Sequence, residues 1–252
     1  MKKFLSTVAM LAMMIALSSS TCSGSSDDDD INSEYNTFSK RKRITKWTIE
    51  LEGISKMTKN YIYDSEGRVV KMFQDENGKN TTTTFTYGDH FITRIDNNNK
   101  KTEYVVENGL IVREVYSNHD MAYYTYENGY MSKLVREEGY IKYIWNNGYL
   151  MEKDVYDNKT EKLIQSEKFE YSNYMDIGTN FWAISDEEPL WNYKGKLPMY
   201  LPSKDIIIDM ESGATIQAAY EWIIEEKLPI KCIVKYTEEG STYTLIETFD
   251  WE

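Results

Sequence analysis

Aromatic and other apolar side chains recur at every second position in short segments along most of the chain. In residues 124–129 and 143–148, aromatic residues at positions i and i+2 lead into an Asn-Gly turn, and looser copies lie at 61–64, 85–88 and 104–109. A period of two is typical of a β-strand with one buried face. Asn-Gly supplies the positive φ angles that a two-residue hairpin turn needs. The pattern therefore predicts a series of β-hairpins.

The spacing of the turns predicts how the strands are connected. Gly109, Gly129 and Gly148 lie 20 and 19 residues apart, which leaves room for two strands and two turns. Because short loops join strands that are neighbours in the sheet, the topology should be an antiparallel meander. We predict an all-β fold of about 13–15 strands that forms a strongly curved sheet or a barrel-like structure, either closed or open.

The composition of the strands indicates that one face of the sheet lies in water. Tyrosine outnumbers phenylalanine 21 to 8, and a tyrosine ring can be buried while its hydroxyl reaches solvent. In residues 165–171, the positions that alternate with Phe169 and Tyr171 on the opposite face are all polar or charged. We therefore assign most of the recurring aromatic residues to the core of a sheet that is covered on one side.

One long segment, residues 172–217, interrupts the hairpins and is predicted to be an insertion rich in aromatic residues and proline. It holds three of the four prolines and six large aromatic residues. A segment of this length in a compact domain either completes the core or carries a function. It is predicted to be a plug over one open end or face of the sheet, or a ligand-binding element. In the second case Trp182, Trp191 and Tyr193 would stack on sugar rings or anchor a protein partner.

The N-terminus has the pattern of an export signal. Lys2 and Lys3 precede an apolar run of 14 residues, 4–17, which is too short for a membrane span. Small residues then lead to Cys22, and this arrangement resembles the lipobox of bacterial lipoproteins, in which the cysteine becomes lipid-modified. We predict a signal peptide at residues 1–21 and lipid attachment at Cys22. Ordinary cleavage, which would leave a free thiol at this position, is the alternative.

The residues after the cysteine are predicted to be a disordered acidic tether, 22–40, followed by a single β domain, 41–252. Serine directly after the cysteine and four consecutive aspartates at 27–30 resemble the export signal of surface lipoproteins in Gram-negative gut commensals. The resemblance implies a lipid-anchored location at the outer membrane. The domain would then face the cell exterior, with the periplasmic face as the alternative.

The charge of the chain narrows the class of partner. Cleavage before Cys22 removes two lysines and no acidic residue, so the formal net charge changes from −12 to −14. This argues against nucleic acid and anionic membrane surfaces as partners. The expected partners are outer-membrane lipid, through the acylated cysteine, and a glycan or protein ligand. The domain is expected to be a monomer.

Two further resemblances concern the hairpins. Residues 61–69, with the sequence Tyr-Ile-Tyr-Asp-Ser-Glu-Gly-Arg-Val, are similar to the tyrosine-aspartate repeat of shell-forming toxin-complex proteins, and we interpret this as a shared hairpin pattern. The tether, the aromatic hairpins, the proline-rich stretch 196–204 and the final hairpin pair together resemble a lipoprotein family of unknown function with a porin-like fold. That resemblance implies a large curved or barrel-like meander and no assigned activity.

The strand candidates are too short for a barrel that spans a membrane. A spanning strand needs about 9–11 residues with an unbroken apolar outer face, whereas the candidates 121–126 and 140–145 have six residues each. In the last strand, 241–251, Glu247 interrupts the alternating apolar positions. We therefore predict a barrel or curved sheet that stands in water and is held by its lipid.

Patterns for catalysis and metal binding are scarce. The two histidines, His90 and His119, are predicted in exposed turns, and neither has a second ligand at metal-binding spacing. The sequence has no nucleophile elbow and no phosphate-binding glycine loop. Cys232 alternates with apolar residues and is expected to be a small core residue. We predict no catalytic residue, no metal and no cofactor.

Three functions agree with these features. The preferred one is a surface-anchored, non-enzymatic module that binds a glycan or a protein. The first alternative is a structural or assembly lipoprotein without a ligand. The second is a glycoside hydrolase that uses two of the 41 acidic residues.

Overall fold

The computed structural model describes residues 42–175 and 189–252. Within them, sixteen antiparallel strands follow one another in chain order, and each strand is hydrogen-bonded to its neighbours in sequence. The first strand also pairs with the last, with Trp47 opposite Phe249, so the sheet closes into a barrel. The predicted all-β meander is confirmed. Of the open and closed forms that the sequence allows, the protein adopts the closed one.

The strands are β1 (Ile44–Leu51), β2 (Ser55–Tyr63), β3 (Val69–Glu76), β4 (Lys79–Tyr87), β5 (Phe91–Ile95), β6 (Lys101–Glu107), β7 (Leu110–Val115), β8 (Met121–Glu127), β9 (Tyr130–Val135), β10 (Gly139–Asn146), β11 (Tyr149–Asp157), β12 (Leu163–Met175), β13 (Tyr200–Asp209), β14 (Thr215–Glu225), β15 (Leu228–Glu238) and β16 (Ser241–Trp251). A 3₁₀ turn, Trp191–Tyr193, precedes β13.

One strand lies inside the predicted insertion. Residues 172–175 belong to β12, all of β13 follows at Tyr200–Asp209, and β14 begins at Thr215. The segment between β12 and β13 is therefore 176–199, of which the structure describes 189–199, and the predicted bounds 172–217 are wrong at both ends. Proline cannot donate a ladder hydrogen bond and is tolerated at irregular positions of a sheet. Pro202 lies at such a position, opposite Tyr171, where the register between β12 and β13 shifts.

The hairpin turns have the backbone conformation that their sequences predict. Asn128 and Gly129 have φ angles of 54° and 79°, and Asn147 and Gly148 have 49° and 82°. Two consecutive positive φ angles match the right-handed twist of the strands that the turn joins. These turns therefore hold sequence-adjacent strands in the antiparallel register of the barrel.

The aromatic pair of the hairpin phrase recurs on the even-numbered strands, and its two members have different roles. The first member, such as Tyr124 or Tyr143, is buried in the core. The second donates a hydrogen bond from its hydroxyl or indole nitrogen to a backbone carbonyl of the preceding strand, at 2.7–2.9 Å. These donors are Tyr63, Tyr87, Tyr126, Trp145, Tyr171, Trp222 and Trp251.

These hydrogen bonds to backbone carbonyl groups explain why the second position of the pair is so often tyrosine or tryptophan. A buried ring with a polar group needs a partner for that group, and the carbonyl supplies one in seven of the eight even-numbered strands. In β6 the equivalent residue is Val106. The predicted solvent contact is thus replaced at these positions by a bond that fastens each even strand to the strand before it.

The barrel has two distinct ends. The chain termini meet at one of them, where the Arg43 amide donates to the Glu252 carbonyl at 3.1 Å. Because the strands alternate in direction, the Asn-Gly turns at 108–109, 128–129 and 147–148 lie at this same end, where β12 also ends and β13 begins. We call it the proximal end, since the N-terminal segment joins the barrel there, and we call the opposite end distal.

Candidate functional site

The predicted site residues fall on the segment between β12 and β13 and on the N-terminal segment. Cys22 and Trp182 lie outside the described residues. Trp191 and Tyr193 belong to the 3₁₀ turn. Segment 189–199, which contains this turn, can therefore be placed relative to the barrel, and it is the described part of the chain between β12 and β13.

Segment 189–199 is packed against the proximal end of the barrel. Leu190 and Lys194 are both buried, and the ammonium group of Lys194 lies 5.5 Å from the centre of the Tyr124 ring. The Lys196 amide donates to the Gly129 carbonyl at 2.7 Å. Gly195 has a φ angle of +95°, and a Cβ atom there would collide with the same carbonyl oxygen. Only glycine allows this approach, so this segment has the geometry of a plug.

Tyr193 takes part in the packing of the plug. Its ring stacks on Tyr87, with the ring centres 5.9 Å apart, and Arg68 lies over the same Tyr87 ring at 4.7 Å. Burial raises the pKa of Tyr193, against the opposing positive charge of Arg68. The plug alternative is thus favoured for this residue. The ligand-binding role of the two tryptophans stays a prediction.

A second cluster of polar side chains lies inside the barrel. It runs across eight strands, from β11 through the closing β16–β1 pair to β2. We call it the inner charge belt, and its members are Lys59, Lys153, Glu167, Asp205, Tyr220, Tyr236 and Glu247.

The first part of the belt joins a salt bridge to a second carboxyl group. Lys153 forms an ion pair with Glu167 on the neighbouring strand. Asp205, which is 3% exposed, accepts a hydrogen bond from the Tyr220 hydroxyl, and its Oδ1 atom has no hydrogen-bond partner among the described residues. Burial and the negative charge of Glu167 raise the pKa of Asp205 to about 7. The pair thus combines an ion-paired carboxylate with a carboxyl group that is protonated below neutral pH.

The second part of the belt lies at the seam of the barrel. The indole nitrogen of Trp47 donates to Glu247 at 3.1 Å, and the ammonium group of Lys59 lies 5.1 Å from the centre of the Trp47 ring. Burial raises the pKa of Glu247 to about 7, although both neighbours favour its ionised form. Tyr236 lies on β15, between the strands that carry Asp205 and Glu247, and its pKa is raised by burial and by the negative charges of both carboxylates.

The sequence contained a signal for the inner charge belt. Glu167 alternates with Phe169, and Glu247 alternates with Leu245 and Phe249, so both carboxylates interrupt an otherwise apolar face. In a barrel that spans a membrane, such a face in the last strand would contact lipid. The structure places Leu245 and Phe249 in the core, which makes the interruption an inward charge. Which basic residue each carboxylate meets depends on cross-strand register.

The two histidines and Cys232 lie in turns and in the core. His90 and His119 lie in turns, as predicted, and the described residues contain no group of three or more ligands that could hold a metal ion. Cys232 is buried in the core, which confirms its predicted role, and burial raises the pKa of its thiol. In the described part of the chain, no helix is long and apolar enough to cross a bilayer.

The chain is similar in fold to solved structures of porin-like proteins. A porin-like protein from Bacteroides uniformis ATCC 8492 matches with a TM-score of 0.64 at 15% identity, and the match covers 83% of this chain and 98% of that one. A porin-like protein from Bacteroides vulgatus ATCC 8482 matches with a TM-score of 0.55 at 12% identity, over the same shares of the two chains. No family model and no curated protein matches the chain. The likeness supports the porin-like fold that the sequence resemblance implied.

Proposed function

We propose that this protein is an exported β-barrel, attached to the outer membrane through a lipid on Cys22, that acts by binding a ligand and not by catalysis. The observation that carries the proposal is the division of side chains between the two faces of the barrel wall. The recurring aromatic pairs and the inner charge belt face inwards, and further ion pairs lie on the outer face. The outer face, the tether and the barrel interior each support one part of the proposal.

The outer face is suited to water. Ion pairs join neighbouring strands along the wall, among them Lys46 with Asp250 at 3.2 Å and Lys56 with Glu50 at 3.0 Å. A wall that contacts lipid needs an apolar outer band between aromatic girdles, and a charge in that band costs about 2–4 kcal/mol. These pairs therefore support a barrel that stands in water and needs a separate anchor.

The tether is suited to that anchor. It joins the barrel at the proximal end through Arg43, next to the plug. A flexible segment of the length of 22–40 has a root-mean-square span of about 25 Å, which holds the barrel near the membrane without fixing its orientation. The distal end of the barrel then faces away from the point of attachment on average.

Binding is favoured over catalysis by the position of the acidic residues. A glycoside hydrolase needs two carboxyl groups that flank the bond to be cleaved. Glu167 and Asp205 form such a pair chemically, but Asp205 is 3% exposed and its environment is the packed interior. A substrate would have to displace core side chains to reach it. The structural alternative, a barrel without a ligand, is separated from the proposal by the binding test below.

Replacing Cys22 with alanine should release the protein from the membrane fraction, because the lipid is its only proposed attachment. Incorporation of labelled palmitate should be lost in the same variant. Cys232→Ala, which removes the core cysteine and keeps the lipid site, should fractionate with membranes like the unmodified chain. Membrane association of the Cys22→Ala variant would contradict the proposed anchor.

The double variant Trp182→Ala/Trp191→Ala should weaken binding of a glycan or protein ligand by about ten-fold or more, since stacked or anchoring aromatic residues carry much of such a binding energy. A glycan array with the mature protein identifies the ligand, and titration of that ligand measures the loss. Phe73→Ala, which removes an exposed ring from the outer wall, is the matched control. Equal binding by the double variant would contradict a ligand role for the insertion, and the absence of any ligand would favour a structural barrel.

A further inference from the structure

A group of outward-facing tyrosines lies near the distal end of the barrel, away from the plug. Tyr123, Val135, Tyr140 and Tyr156 are direct cross-strand partners on four consecutive strands, β8 to β11. The rings of Tyr140 and Tyr156 stack with their centres 4.8 Å apart and their planes at 8°, and Tyr123 is 48% exposed. At about 4.8 Å between strands, the row is about 14 Å long. We call these residues, together with Lys133 and Lys142, the outer tyrosine patch.

The two lysines of the patch are opposed to each other. Lys133 and Lys142 are direct cross-strand partners. Their ammonium groups lie over tyrosine rings, at 4.2 Å from the centre of Tyr140 for Lys133 and at 4.9 Å from the centre of Tyr156 for Lys142. In the described part of the chain neither lysine forms an ion pair with a carboxylate. Like charges directly opposite each other destabilise a sheet.

Two other lysines on the outer wall form ion pairs with the residue directly opposite. Lys46 faces Asp250 across β1 and β16, and Lys204 faces Glu170 across β13 and β12, so each has an acidic partner directly opposite. Lys133 has no acidic residue directly opposite, since its partners on the neighbouring strands are Thr125 and Lys142, whereas Lys142 lies between Lys133 on one side and Asp154 on the other. A bound anion would remove their repulsion, which makes this position suited to an acidic ligand.

A buried carboxylate completes the patch. Asp154 lies directly opposite Lys142, is 7% exposed, and has no hydrogen-bond partner for its Oδ1 atom among the described residues. The Tyr156 hydroxyl lies 3.5 Å from its Oδ2 atom. An unpartnered buried oxygen is costly. A ligand hydroxyl would donate to it once the outer-wall side chains that cover it move aside, and these, unlike the packed core around Asp205, border solvent. The patch thus combines two cations, an acceptor for a hydroxyl and exposed aromatic surface.

We propose that the outer tyrosine patch binds an acidic oligosaccharide, in which the carboxylate of a uronic acid lies between Lys133 and Lys142 and a ring hydroxyl donates to Asp154. A densely charged polymer fits less well. The chain has a net charge of −12, and Glu137 and Glu138 lie in the turn next to Tyr140, so nucleic acid or a polysulfated chain would meet repulsion around two cations. An anionic membrane is disfavoured because the patch lies at the end opposite the tether.

Titration of the mature protein with trigalacturonate tests the proposal. Trigalacturonate should bind, and the same trisaccharide with its carboxylates reduced to neutral hydroxymethyl groups should bind about ten-fold more weakly or not at all. Lys133→Gln/Lys142→Gln should lose at least the same factor together with the salt dependence of binding. Thermal unfolding of this variant checks that the barrel remains folded at the temperature of the titration. Lys100→Gln/Lys235→Gln, which removes two exposed lysines elsewhere, should bind like the unmodified protein.

Three results would overturn the proposal. They are equal binding of the acidic and the neutral trisaccharide, equal weakening by the two double variants, and the absence of trigalacturonate binding at millimolar concentration. Preferential binding of phosphatidylglycerol vesicles or duplex DNA through Lys133 and Lys142 would assign the patch to another class of partner and would equally overturn it. The patch does not include Trp182 or Trp191. The outcome of the trigalacturonate experiment therefore does not depend on whether the Trp182→Ala/Trp191→Ala variant loses binding.

Discussion

Replacing Lys153 with methionine is expected to destabilise the barrel by about 3–5 kcal/mol at pH 8, because it leaves buried carboxylates without their counter-charge. Lys153 is 6% exposed and forms an ion pair with Glu167, and its charge also favours ionisation of Asp205. Methionine fills a similar volume, so the loss comes from the charge and not from a cavity. Urea unfolding of the mature protein, monitored by tryptophan fluorescence, measures the change in the free energy of unfolding.

A matched substitution on the outer wall separates burial from charge. Lys204 pairs with Glu170 at 3.3 Å on the adjacent strands, in a pair whose acidic side chain is 63% exposed. Exposed pairs contribute little to stability, so Lys204→Met should cost about 1 kcal/mol or less. A cost for Lys153→Met no larger than this would contradict a stabilising role for the lysine in the inner charge belt.

A further substitution tests whether the unpaired carboxylate charge causes the loss of stability. Glu167→Gln removes the carboxylate that Lys153→Met leaves unpaired, so the double variant should be more stable at pH 8 than Lys153→Met alone. Asp205→Asn, added as a third substitution, should recover still more of the loss. If the double variant is no more stable than Lys153→Met, the cost comes from packing and the electrostatic explanation is wrong.

The sequence predicts the hairpins well because each is specified locally. Residues 124–129 contain the strand end, both aromatic residues and the turn within six positions. The later copies of the aromatic pair, such as Tyr220 with Trp222, lack the following Asn-Gly turn, so the sequence pattern alone does not relate them to the others. Strand β13 is missed for a similar reason. Its proline, Pro202, is typical of loops, and its three consecutive isoleucines do not alternate with polar residues.

The candidate sites depend on information that the sequence pattern does not contain. Alternation assigns Lys133 and Lys142 to the outer face, but it does not show that they are directly opposite each other. That relation depends on register, which turn length sets and bulges shift, as between Ile144 and Trp145 in the β10–β11 pair. Contacts between distant strands, such as that of Glu247 with Trp47, additionally require that the sheet closes.

The stability of the barrel is expected to fall as the pH rises from 5 to 8, and Asp205→Asn/Glu247→Gln should remove most of this dependence. Both carboxyl groups have a pKa of about 7 in the folded protein, against about 4 in an unfolded chain. Between these values the folded state binds more protons than the unfolded state, so the free energy of unfolding decreases with pH. Their contribution is complete below the unfolded pKa and is lost as the pH passes through the folded pKa. Each group accounts for about 2 kcal/mol over this window.

Thermal unfolding of the mature protein at pH 5, 6, 7 and 8 measures this effect. The double variant should unfold at a higher temperature than the unmodified protein at pH 8, where the native carboxylates are ionised in the interior, and its Tm should change little with pH. Glu170→Gln, which neutralises an exposed carboxylate on the outer wall, should keep the original pH dependence. Hydrogen bonds lower the pKa of other carboxylates, such as Asp157 and Asp209. Their stabilising effect is lost only as the pH falls through these lowered pKa values, so they do not change the stability between pH 5 and pH 8. A Tm that rises from pH 5 to pH 8 in the unmodified protein would contradict protonation of the interior carboxyl groups.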